Sequence, residues 1–147
     1  MGTVEKIMLI DDDADEYVLF KEAVSRVRKD VEVCYASGVV DAFTLLESIK
    51  GNLPDLIFLD INMPMHNGRD CLKALRQSKR FAHIPVVMYT VQDLLNEEKD
   101  ELRTLGASFF LQKPELKDLI LILTFLLGGR QSTADIKDVA KLFVKLA

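Results

Sequence analysis

Three consecutive aspartates, Asp11, Asp12 and Asp13, follow the apolar run VEKIMLI, and a lone aspartate, Asp60, closes the run LIFLD. Two other polar residues occupy comparable places: Thr90 after PVVMY and Lys113 after SFFLQ. A bare carboxylate at the end of an apolar run is costly unless something there uses its charge. Several carboxylates gathered on one rim also repel one another. A hard divalent cation relieves that repulsion. Mg2+ suits the donors, because it takes a few carboxylate oxygens and keeps several waters. A cation, an ammonium and a hydroxyl together can receive a phosphoryl group. One carboxylate can then act as nucleophile and become an acyl phosphate. Asp60 suits that role, standing alone at the end of the most apolar strand.

That chemistry needs all these residues on one rim, and the pattern of elements supplies it. Short apolar runs at 4–10, 31–36, 55–60, 85–90 and 108–111 alternate with amphipathic stretches. The stretches predict helices over 14–28, 39–50, 68–78, 92–105 and 116–127. Asp13 reads as a helix cap, with Asp15 and Glu16 in a first turn that favours negative charge. Asp55 to Asp60 is nearly all apolar, as a central parallel strand covered on both faces should be. Five βα units imply a doubly wound α/β sheet, and such sheets bind ligands outside the carboxyl ends of their strands.

With the acidic pair of LIDDD, the LDINMPMHNG segment, the VVMYT strand and the SFFLQKP segment in this order, the chain resembles the receiver domain of two-component response regulators. The resemblance covers about residues 4–127. It implies a flavodoxin-like five-stranded sheet in the order 2-1-3-4-5. Asp60 matches the phosphoacceptor. Asp11 and Asp12 match the Mg2+ ligands, joined by Asp60 and the backbone carbonyl of Asn62. Thr90 matches the switch hydroxyl, Phe110 the switch aromatic and Lys113 the lysine that pairs with the phosphoryl group. A cis bond is expected between Lys113 and Pro114. Met63, Pro64 and Gly68 match the loop that shapes the pocket. Val91 departs from the small residue usual after the threonine. Asn62 and Gln92 flank the expected phosphoryl group and neither is a strong base, which predicts slow or moderate self-hydrolysis.

The 147 residues are 49% hydrophobic with a net charge of −4, enough for one domain and without the clustered basic residues of a DNA-binding footprint. Cys34 and Cys71 lack metal-ligand spacing, and so do His66 and His83. The apolar run LILILTFLLGG falls short of the ~18 residues of a membrane span, so a cytoplasmic protein is expected. Residues 1–128 read as the receiver domain. Residues 129–147 read as a linker and an amphipathic C-terminal helix, too short to be an output domain. The fifth helix is apolar nearly all round, which predicts a second cover from that C-terminal helix or from a homodimer partner.

The expected function is that of a stand-alone receiver, a phosphoacceptor rather than an enzyme. It takes a phosphoryl group from a sensor histidine kinase or phosphotransfer protein and signals to a downstream protein by contact. Two rivals remain. One is a haloacid-dehalogenase-like phosphatase with Asp11 as nucleophile and Asp13 as general acid. The other is a receiver-like binding module that is never phosphorylated.

Overall fold

A computed structural model describes residues 3–65 and 67–127. His66 and the proposed linker and C-terminal helix at 129–147 lie outside the described residues. The order of elements is β1 (Lys6–Ile10), α1 (Ala14–Val27), β2 (Glu32–Ala36), α2 (Val39–Ser48), β3 (Leu56–Leu59), α3 (Gly68–Gln77), β4 (Val86–Thr90), α4 (Asn96–Leu105), β5 (Phe109–Gln112) and α5 (Leu116–Leu126). The strands form one parallel sheet in the order β2-β1-β3-β4-β5. This is the doubly wound topology expected from the alternation of runs. The order reverses direction after β1, so the crevice between β1 and β3 opens at their carboxyl ends.

Burial explains why the runs become strands. Ile7 to Ile10, Leu56 to Leu59 and Val86 to Thr90 are all buried. Residues shielded on both faces have no reason to alternate with polar ones. Phe20 of α1 meets the rings of Phe58 and Tyr89 at 4.9 and 6.1 Å, and α1 packs beside α5 on this face. The α3 and α4 helices pack together, and Arg69 bridges them through Glu98 at 3.6 Å and Glu101 at 3.2 Å.

One helix starts later than its sequence pattern suggests. The α4 helix begins at Asn96 rather than Gln92. The Gln92 N–H is taken by Thr90 Oγ1, and the Leu95 N–H by the Glu98 carboxylate. A turn starting at Gln92 would close the Leu95 N–H on the Val91 carbonyl, but that amide goes to Glu98 and that carbonyl accepts Gln112 Nε2 at 3.2 Å, so the turn does not form. Leu94 turns inward to 8% exposure, leaving Val91 and Leu95 exposed in the loop. Of α5, Leu119, Ile122 and Leu123 are buried and Phe125 is exposed. Among the described residues, no helix is long and apolar enough to cross a membrane.

Candidate functional site

The end of β1 delivers Asp11 and Asp12. Asp11 Oδ1 accepts the Asp13 N–H at 2.9 Å, and Asp13 caps α1 by accepting from Asp15 N–H at 2.9 Å. Two successive turns made by aspartate side chains thus set the path from strand to helix. The peptide carbonyl of Asp11 accepts the Tyr35 hydroxyl at 2.8 Å, and the Tyr35 ring stacks on Tyr17 with centroids 4.5 Å apart. These contacts pin the acidic turn to the end of β2.

Asp60 follows β3. Its N–H donates to the Ile10 carbonyl at 2.9 Å, so it arrives beside Asp11. The Asn62 N–H donates to Asp60 Oδ1 at 3.3 Å. The loop returns tightly. Gly68 N–H donates to the Ile61 carbonyl at 2.7 Å, and a Cβ on Gly68 would fall 2.4 Å from the Asp60 carbonyl oxygen. Only glycine permits that approach.

Asp11, Asp12 and Asp60 each offer a carboxylate oxygen within 4.8 Å of the others. Asp11 is fully buried and Asp60 is 6% exposed, whereas Asp12 is open to solvent. Hard oxygen donors at this spacing, with one side open to water, fit a cation that keeps part of its hydration shell. Among the described residues, Lys113 brings an ammonium to them. Its Nζ lies 2.6 Å from Asp11 Oδ2 and 3.8 Å from Asp60 Oδ2. Burial pushes the Asp60 carboxyl up to about 6, reinforced by Asp11 and Asp12 and opposed by the Lys113 charge and the Asn62 amide. Burial works against the Lys113 ammonium, but the hydrogen bond to Asp11 and the charges of Asp60, Asp11 and Glu16 outweigh it, and its pKa is raised.

Thr90 ends β4 and is buried. Its carbonyl accepts the Lys113 N–H at 2.7 Å. Phe110 is buried in β5, with the Arg103 guanidinium over its ring at 5.1 Å. Val91 is 69% exposed. The Lys113–Pro114 bond is trans, which corrects the cis expectation. The trans isomer is the lower in energy for an X–Pro bond, and Lys113 reaches both Asp11 and Asp60 from it.

Sequence reasoning missed the role of Tyr89. Its hydroxyl donates to Glu16 Oε1 at 3.1 Å, and Lys113 Nζ lies 5.5 Å from the centroid of its ring. A signal was present, since a tyrosine in a fully buried strand must find its hydroxyl a partner. Tyr35 carried a weaker signal of the same kind.

Residues 7–124 match the family model described as the response regulator receiver domain. The transcriptional regulatory protein CpxR of Escherichia coli K12 is 35% identical over 113 residues, covering 76% of this chain and 44% of CpxR. The chain therefore spans less than half the length of that relative. Chemotaxis protein CheY4 of Vibrio cholerae superposes with a TM-score of 0.72 at 25% identity, covering 84% of this chain and 99% of CheY4. The phosphorylated cyanobacterial phytochrome response regulator RcpA gives a TM-score of 0.72 at 24% identity, over 83% of this chain and 90% of RcpA.

Proposed function

Because the chain belongs to the response regulator receiver family, we propose that it accepts a phosphoryl group on Asp60 from the phosphohistidine of a sensor kinase or phosphotransfer protein. One observation carries the proposal. The nearly buried Asp60 carboxylate sits with Asp11 and Asp12 in one acidic group, and Lys113 lies 3.8 Å away. An Asp60 oxygen bonds to phosphorus while the bond from phosphorus to the donor nitrogen breaks. Lys113 pairs with the incoming charge, and the Thr90 hydroxyl is available to donate to it. Asp11, Asp12, Asp60 and the Asn62 carbonyl are the residues that would hold Mg2+, which would supply further neutralisation of the phosphoryl oxygens. The chain is then a phosphoacceptor rather than a turnover enzyme. Asn62 and Gln92 supply no base to activate water, so the acyl phosphate is long-lived.

The change at Asp60 is read by a partner protein. Thr90 and Phe110 are buried, and their chain neighbours Val91 and Phe109 are exposed, as is Leu95. A shift of the population there alters a surface that a partner can bind.

The test is incubation with Mg2+ and acetyl phosphate followed by intact mass measurement of wild type and Asp60→Asn. A gain of one phosphoryl group that requires both Mg2+ and Asp60 is expected. A wild type that binds Mg2+ yet gains nothing would instead indicate a receiver-like module that is not phosphorylated. A gain that survives Asp60→Asn would move the nucleophile elsewhere.

A further inference from the structure

Lys113 has more acidic neighbours than its role at Asp60 requires. Asp11 holds it at 2.6 Å and Asp60 lies at 3.8 Å. Glu16, on the first turn of α1, is a further acid whose charge Lys113 senses. Glu16 stands outside the group of three carboxylates suited to a cation. An ammonium in a partly buried site goes to whichever carboxylate reaches it, and charge-assisted hydrogen bonds there are strong. Glu16 is therefore a competitor for the lysine unless something restrains it.

Tyr89 supplies the restraint. Its ring is packed edge-on against Phe58 at 5.5 Å with planes at 90°, and against Phe20 at 6.1 Å with planes at 68°. The side chain is fully buried, so the hydroxyl is a fixed post rather than a mobile group. That hydroxyl donates to Glu16 Oε1 at 3.1 Å. The face of the same ring lies under the Lys113 ammonium at 5.5 Å, a separation at which the ring's negative face attracts a cation. A hydrogen bond from the phenol to a carboxylate enriches the ring in electron density and strengthens that seat.

We propose that Tyr89 is a positioning residue for Lys113. Its hydroxyl holds the Glu16 carboxylate off the ammonium, and its ring seats the lysine between Asp11 and Asp60. The lysine can then change partners, from Asp11 to the phosphoryl group, without being captured by a carboxylate that has no part in the transfer. This rests on the phosphoryl-acceptor reading of Asp60.

The test compares four proteins: wild type, Tyr89→Phe, Glu16→Gln and the double variant. Each is incubated as the full chain with Mg2+ and acetyl phosphate, and the rate of phosphoryl gain is followed by intact mass. Tyr89→Phe keeps the ring and its packing but frees Glu16, so the rate is expected to fall about fivefold. Glu16→Gln removes the competing charge and is expected at least to match wild type. The double variant is expected to return to within about twofold of wild type, a recovery that a merely structural tyrosine would not show. A wild-type rate for Tyr89→Phe overturns the proposal, as does a loss that Glu16→Gln fails to restore. If Tyr89→Phe does not fold, Glu16→Gln alone decides, because a slower rate would make Glu16 a helper rather than a competitor. A wild type that gains no phosphoryl group overturns the phosphoryl-acceptor reading itself, and this proposal with it.

Discussion

At the amino edge of the sheet, Asp55 accepts the backbone N–H groups of Glu5 and Lys6 at 2.8 and 3.0 Å. Lys6 pairs with Glu32, and Arg28 pairs with Asp30 while donating to the carbonyls of Val4 and Leu127. At the carboxyl edge, Asp11 and Asp60 share the Lys113 ammonium, and Asp12 adds a third carboxylate. The acid constants follow the same division. The hydrogen bond from Arg28 holds the Asp30 carboxyl below its usual range, whereas burial lifts that of Asp60 to about 6. A cleft of about 810 Å3 opens at the amino edge, lined by Asp30, Glu32, Asp55 and His83 among others. Three of its acids already have partners in the chain. Cleft volume is therefore a poor guide to the chemistry here. The better guide is a charge deficit that the chain leaves for something else to fill.

The contrast can be broken most severely at Gly68. A Cβ there collides with the Asp60 carbonyl and the Ile61 Cα, at 2.4 and 2.8 Å. Gly68→Ala is expected to cost about 3 kcal/mol, read as a lower urea midpoint, and to slow phosphoryl gain by displacing Asp60.

Asp60→Asn should act in the opposite direction. A carboxyl whose folded pKa is raised binds its proton more tightly in the folded state. Its contribution to stability is therefore lost as pH rises from about 4 to about 6. In Mg2+-free buffer at pH 7, the substitution is expected to stabilise the fold by about 2 kcal/mol, and the gain should vanish by about pH 4. Urea unfolding at both pH values checks it. A gain that persists at the lower pH would mean that the charge of Asp60 is not its cause.

The smallest effect belongs to the amino edge. Asp55→Ala removes the acceptor of two backbone N–H groups that water can still reach. About 1 kcal/mol of stability should go, with no effect on phosphoryl gain. A changed rate there would mean that the two edges are coupled.

How much of this was legible from the chain depended on the range of the interactions involved. Asp11, Asp60, Thr90 and Lys113 were readable because each closes a run of apolar residues, and a parallel sheet puts such ends on one rim. The strand order came with the family resemblance. The start of α4 was not readable, because the Leu95 amide and the Val91 carbonyl that would close its first turn are taken by Glu98 and by Gln112 of β5. The cis bond before Pro114 was implied by the family resemblance alone, and the bond is trans. The contact of Lys113 with Asp11 spans 102 residues of sequence, and no local pattern shows it. Glu16 was read as a first-turn acid. Its bond to Tyr89 spans 73 residues, and only packing against Phe20 and Phe58 brings the two together.

The hydrogen bond from the Gln92 amide to Thr90 Oγ1, at 3.2 Å, has a mechanical consequence. The loop after β4 has a second tether, from Gln112 Nε2 to the Val91 carbonyl at 3.2 Å. One tether belongs to the threonine and the other to the neighbour of Lys113. Were Thr90 Oγ1 to leave the Gln92 amide, the first line would be cast off and the second would serve as a pivot. Val91 would then be held through its own carbonyl alone, so the orientation of a single hydroxyl would set the outline of this exposed loop.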